Sequence, residues 1–158
     1  YSIATVACVI AAVSPQCPWE RNLIIADDIM AGNVPSIGAL RSNVLKAETI
    51  RNHRYDDTRK VFKSAPKVAS FSRNLAGDYS LVTVDTHALQ AALGDVEVTL
   101  GLKWAAYEAF ASAYVNAANA INIEPATFQA ILWHTWKRMY PPALKRSKRQ
   151  QWSVVGEL

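Results

Sequence analysis

Leu81-Val82-Thr83-Val84 is the one run of β character in the chain, and it leads straight into Asp85-Thr86-His87. Four such residues with no second strand signal cannot found a sheet. The stretch is therefore predicted to be an extended connection into a helix capped by Asp85. Helical signals surround it. Downstream, Gly101 to Ile121 is Ala-rich and sets Trp104, Tyr107, Phe110 and Tyr114 on a buried stripe. Glu124-Pro125 opens a last helix, through Phe128, Ile131, Leu132 and Trp136 to Met139, and Pro141-Pro142 ends it. Upstream, Pro66 suits the first turn of a helix that carries Val68, Ala69, Phe71 and Leu75 and stops at Gly77-Asp78. A short helix is expected near Asp56 to Phe62. Before it, a helix from about Ser36 to Asn52 turns Ile37, Leu40, Val44, Leu45 and Ile50 inward and Arg41, Lys46 and Arg51 outward. A helix from about Trp19 to Ala31 presents a stripe of Leu23, Ile24, Ala26, Ile29 and Met30, and Gly32-Asn33 ends it. The first helix, Ile3 to Val13, is closed by the prolines of Ser14-Pro15-Gln16-Cys17-Pro18. Eight helices and no sheet predict an all-α fold.

Composition agrees with a compact chain. About half of the 158 residues are apolar (51%), 19% are charged, and six Gly with seven Pro follow no repeat, which excludes collagenous, coiled-coil and disordered classes. Ile3 to Val13 is the best apolar segment. At eleven residues it falls short of the roughly 20 a bilayer needs, and no basic region precedes it as in a secretory signal. Cys8 and Cys17 form no CxxC pair, so neither a structural zinc nor an iron-sulfur framework is expected and no cofactor is implied. Two free thiols in a reducing cytoplasm explain the count, with a single disulfide as the alternative.

The net charge of +4 is unevenly spread. Residues 41 to 73 hold nine basic against three acidic residues, and 137 to 158 hold six against one, while 1 to 40 and 74 to 136 are net acidic. Two basic tracts are the electrostatic footprint of a polyanion binder; the bland reading is a solvated helix face followed by a basic tail. The expected organisation is one domain over residues 1–142, of two interleaved helical lobes, with a basic extension over 143–158, acting as a monomer away from any membrane.

Three stretches go beyond packing. An ammonium at a helix N-terminus opposes the macrodipole at about 0.3 to 1 kcal/mol, so Lys67 after Pro66 is a poor choice for stability alone. The field there favours the neutral amine, which a Schiff-base nucleophile requires. The plainer reading is an exposed lysine that tolerates the field. Asp85 is an N-cap by position; as a held carboxylate it can also stabilise a cationic sugar or act as a base. His87, one turn on, reads first as a structural histidine. Gln16, in the polar turn Ser14-Pro15-Gln16, can hydrogen-bond either a base edge or the local backbone.

In order and spacing these stretches resemble the helix-hairpin-helix DNA glycosylases, the endonuclease III type superfamily. The resemblance runs over about residues 3 to 139. An apolar helix ends in a Ser-x-Gln turn, Ser14-Pro15-Gln16. An Ile-Gly segment, Ile37-Gly38, is followed by Lys46-Ala47-Glu48. A hairpin delivers Lys67 at the start of a helix, and eighteen residues later Val84-Asp85-Thr86-His87 matches an Asp-x-His motif behind an apolar connection. A Trp-bearing closing helix, Gln129 to Arg138, completes it. The resemblance implies a bilobal helical fold with a positive cleft that receives a nucleotide flipped from DNA. In it, Lys67 attacks the sugar C1′ and forms an imine, and Asp85 orients the nucleophile and stabilises oxocarbenium character. Ser14, Gln16 and His87 lie on the DNA side of the cleft, Gln16 near the vacated stack. Lys63, Ser64, Arg59 and Lys60 in the first basic tract, and Lys137, Arg138, Lys145 and Arg146 in the second, contact the phosphates.

The chain departs from the family at the hairpin. Gly-x-Gly, which lets backbone N–H groups approach a phosphate, is replaced by Ser64-Ala65-Pro66, and Pro66 removes a donor. The preceding helix is short, and the four-cysteine cluster of many members is absent. Base excision is the expected activity. The alternatives are a compact, phage-type relative that modifies thymine bases by replacing a leaving group with an amine, and a non-catalytic DNA-binding module in which Lys67 contacts a phosphate and Asp85 is only a cap.

Overall fold

The computed structural model describes residues 1–54, 57–99 and 101–141. Every regular element among them is a helix: α1 (Ile3–Val13), α2 (Trp19–Ala31), α3 (Arg41–His53), α4 (Thr58–Val61), α5 (Pro66–Leu75), α6 (Thr86–Leu93), α7 (Trp104–Ala120) and α8 (Pro125–Met139). The predicted basic extension, with Lys145 and Arg146, lies outside the described residues.

Local chemistry explains most of the boundaries. Ser2 caps α1, its hydroxyl accepting the Thr5 N–H at 3.1 Å, and Pro15 prevents continuation beyond Ser14. Gly32 ends α2 and Gly94 ends α6, each with positive φ. Pro66 and Pro125 occupy the first helical positions of α5 and α8, where a missing N–H costs nothing. α3 begins later than its periodicity predicts. The Asp28 carboxylate, at the end of α2, accepts both the N–H and the hydroxyl of Ser36 at 2.7 Å, and Arg21 donates to the Gly38 carbonyl. These bonds from a distant helix hold Ser36 to Leu40 out of helix. α4 is likewise shorter than expected, confined to Thr58–Val61 behind the Asp57 cap, and α7 starts at Trp104.

The helices bury two hydrophobic clusters. α1 is the centre of the first, with Thr5, Ala7, Cys8, Val9, Ala11, Ala12 and Val13 all buried, and α2, α3 and α5 pack around it. Its alanines let the neighbouring helices approach closely. On α2 the inward face is Asn22, Ile25, Ala26 and Ile29, so Leu23 and Ile24, expected inside, are exposed. At 100° per residue they lie off the 22–25–26–29 face. On α3, Ala47 and Ile50 are buried, whereas Leu40 and Leu45 are exposed, contrary to expectation. Arg51 turns back rather than out, donating to the Ile29 carbonyl at 2.6 Å and so satisfying the end of α2. Cys8 and Cys17 form no disulfide.

The second cluster joins Val82 and Val84 to Ala88 and Leu89 of α6 and to Tyr107 and Tyr114 of α7, with Phe128 and Leu132 of α8 packed against it. The run 81–84 is extended, as predicted, with Val82 and Val84 buried on one side. Side chains take the place of a ladder partner: the Tyr107 hydroxyl donates to the Val82 carbonyl and accepts the Val84 N–H, both at 3.0 Å, while the Asn74 amide donates to the Leu81 carbonyl at 3.0 Å and accepts the Thr83 hydroxyl at 2.6 Å. Trp104, one turn earlier on α7, packs against the first cluster, and α5 touches α7. No helix among the described residues is long and apolar enough to cross a membrane.

Candidate functional site

Two helix N-termini meet at one cavity. α5 brings Lys67 in its first turn, and α6 brings its N-cap Asp85; Ser64, Pro66, Thr86 and Leu102 complete the nearer walls of a space of about 260 Å³. That volume lies at the small end of ligand pockets, roughly 300–1,000 Å³, and suits a single ring system rather than a long chain. Ala65, at the N-cap of α5, offers no side-chain acceptor, and Pro66 offers no N–H. Lys67 is exposed, and its side-chain amine has no hydrogen bond or ion pair among the described residues. Its amine is therefore available to a ligand in the cavity.

Asp85 is held at both oxygens. Oδ1 accepts the Ala88 N–H at 2.8 Å, closing the first turn of α6, and Oδ2 accepts the indole Nε1–H of Trp133 at 2.9 Å. His87 Nδ1 lies 3.7 Å from the same Oδ2. Trp133 is itself fixed: the His87 ring meets it edge-on at 5.7 Å and the Lys137 ammonium sits 4.0 Å from its centroid. A carboxylate held by two N–H donors, with a second lone pair on each oxygen, is an anchored negative charge facing the cavity. It can stabilise cationic character in a bound ligand without reorganising.

α7 holds the segment that carries Asp85 from both sides. Tyr107 binds the backbone of Val82 and Val84 just before it, and the Tyr114 hydroxyl donates to the Ala88 carbonyl at 2.7 Å just after it. Burial disfavours the phenolate at both, pushing the Tyr114 hydroxyl up to about 12 and Tyr107 upward as well.

The other predicted contact residues fall elsewhere. Lys60 and Lys63 line a groove with Lys46, between α3 and α4. Arg59 is engaged by Glu108 at 2.6 Å and lies over the Trp104 ring. Gln16 borders a separate cavity with Arg21 and Asn43; Ser14 closes α1 and accepts the Cys17 N–H at 3.1 Å in the turn that holds Gln16 at φ 60°. Lys67 and Asp85 thus line one cavity, while Gln16 borders another and Ser14 borders neither. Arg138 is exposed on the last turn of α8. Sequence reasoning placed Tyr107 and Tyr114 on a buried stripe, did not single out Trp133, and missed the polar ends of all three; a buried Tyr or Trp requires a partner for its O–H or N–H, and that requirement was the available signal.

Among the described residues no three His, Cys, Asp or Glu side chains gather in a way that could hold a metal ion. Compared with known proteins, residues 1–139 match the family described as Family of unknown function (DUF7178). No curated protein and no solved structure matches the chain.

Proposed function

The chain belongs to the DUF7178 family, and from that premise, which brings no activity with it, we propose that it is a DNA glycosylase with lyase activity. The cavity receives one base flipped from DNA. The observation that carries this reading is that Lys67 and Asp85, eighteen residues apart in sequence, line the same small cavity at the meeting of two helix N-termini. The two hydrophobic clusters are then the two lobes of a helix-hairpin-helix fold, with α4 and α5 as the hairpin.

The chemistry follows from the two groups. The Lys67 side chain gives up its ammonium proton to solvent and its amine attacks C1′ of the extruded nucleotide. The glycosidic bond breaks with its electron pair leaving on the base, which takes up a proton. The new C1′–N bond becomes a protonated imine as the sugar ring opens and O4′ takes a proton from the nitrogen. Loss of a C2′ proton then expels the 3′ phosphate. Asp85, anchored by Ala88 and Trp133, stabilises the positive charge that develops at C1′ and O4′ as the base departs.

Borohydride trapping across a panel of damaged and modified duplexes tests this. Reduction of the imine is expected to leave a covalent protein–DNA adduct with the wild type and none with Lys67→Ala. Absence of both adduct and base release on every substrate overturns excision. A gain in base mass in the presence of an amine donor instead supports the second reading, amine transfer onto a thymine-type base. That reading is favoured by the hairpin Ser64-Ala65-Pro66, which lacks the glycines of a duplex-gripping repair enzyme.

A further inference from the structure

The basic tract of residues 41 to 73 is not uniformly available to a ligand. Arg59 is paired with Glu108, Lys60 with Asp57, and Arg73 with Asp78. Arg51 is turned onto the Ile29 carbonyl, and Arg54 lies over the Tyr1 ring. Lys46 and Lys63 have no carboxylate partner among the described residues, Lys46 lying 5.5 Å from the centroid of the Phe62 ring, and both line the groove between α3 and α4, a space of about 670 Å³ whose one acid, Asp57, is paired with Lys60. Its apolar lining comes from Leu45, Ile50 and Val61. Lys63 directly precedes Ser64 to Lys67, the end of the α4–α5 connection and the start of α5, which line the Lys67–Asp85 cavity. The groove and the cavity are therefore bordered by consecutive residues of one short stretch of chain.

We propose that this groove is a track for the sugar-phosphate backbone of the strand that carries the target nucleotide, with Lys46 and Lys63 as phosphate contacts. The inference rests on the DNA reading above and adds where the duplex is held. Charge complementarity carries it: two unneutralised ammonium groups on a rim above apolar wall suit phosphates with sugar edges packed beneath. They also replace what the loop lacks. With Ala65-Pro66 at the start of α5, close approach of backbone N–H groups to a phosphate is lost, and flexible ammonium side chains reach the phosphate instead.

The test uses the full chain and a duplex holding one tetrahydrofuran abasic-site analogue. Each phosphate contact contributes about −0.9 to the slope of log affinity against log salt. Lys46→Gln with Lys63→Gln is expected to flatten that slope by about 1.8, so that the variant loses about 12-fold less affinity than the wild type between 50 and 200 mM salt. Ethylation interference should show specific phosphates beside the abasic site that weaken wild-type binding and no longer matter to the double variant. Both side chains are exposed, and circular dichroism confirms that the variant is folded. An unchanged slope, or an unchanged interference pattern with merely lower affinity, overturns the track while Lys67 trapping still stands. Failure of the wild type to bind the duplex overturns the track and the DNA reading together.

Discussion

Asp85 is the residue where stability and chemistry meet. One oxygen closes a helix and the other holds an indole, so neither can be removed without a structural effect. Losing an N-cap costs typically about 1 kcal/mol, and stranding the Trp133 N–H adds about 1–3 kcal/mol. Asp85→Ala is therefore expected to melt well below the wild type. Asp85→Asn keeps one oxygen for the cap but sets an NH2 against the Trp133 N–H, so it should fold with a stability lower by about 1–3 kcal/mol, less than the loss in Asp85→Ala, and, with a charge-free amide at the cavity, lose most of its trapping rate. Full trapping activity in Asp85→Asn would leave the residue a cap and nothing more. Trp133→Phe retains most of the packing and removes only the donor; a partial loss of trapping rate, without loss of duplex affinity, is the outcome expected of a positioning residue. Asp85 and Lys67 were both legible in the sequence, because a cap position and a lysine after an N1 proline are local facts. Trp133 as the partner of Asp85 was not, since 48 residues separate them.

α7 is a strut that holds the connection into α6 through two tyrosine hydroxyls. Both are disfavoured as phenolates by burial, Tyr114 up to about 12. In the unfolded chain a tyrosine ionises near 10. The stability linked to Tyr114 is therefore fully present below pH 10 and is lost as pH rises from 10 towards about 12, on the order of 2–3 kcal/mol. Ultraviolet titration should show two phenols ionising late, and urea melts between pH 9 and 11 should show falling stability. Tyr107→Phe with Tyr114→Phe should abolish the late phenols, and it should weaken the fold at neutral pH by leaving the Val82, Val84 and Ala88 backbone groups without those partners. At this scale α1, α2, α5 and α8, bounded by proline or glycine, were readable to within a residue, whereas α4 and α7 begin two and three residues later than expected. α3 was not readable at its N-terminal end, because the bonds from Asp28 to Ser36 and from Arg21 to Gly38 that delay its start come from another helix.

Over the whole molecule, charge and cavity fall into an order that linear counting does not show. Ion pairing withdraws Arg59, Lys60 and Arg73 from the first basic tract and leaves Lys46, Lys63 and Lys67 without carboxylate partners along one groove and one cavity. The second tract runs into residues 143 to 158, where Lys145, Arg146, Lys148 and Arg149 face one acid, Glu157. Deleting 143 to 158 is expected to weaken duplex binding and flatten its salt dependence. Unchanged affinity from low to high salt would remove these residues from the interface.

The sequence by itself determined the helical class, most helix ends, the capping role of Asp85 and the uneven charge. These depend on periodicity, caps and composition, which act within a few residues. Tertiary structure alone decided which apolar faces are buried, which cations remain unpaired, and that Trp133, Tyr107 and Tyr114 hold the Asp85 segment. It also decided that Lys67 and Asp85 line one cavity while Gln16 borders another. Those outcomes depend on how helices pack against one another, and contacts between residues tens of positions apart leave no local pattern to read.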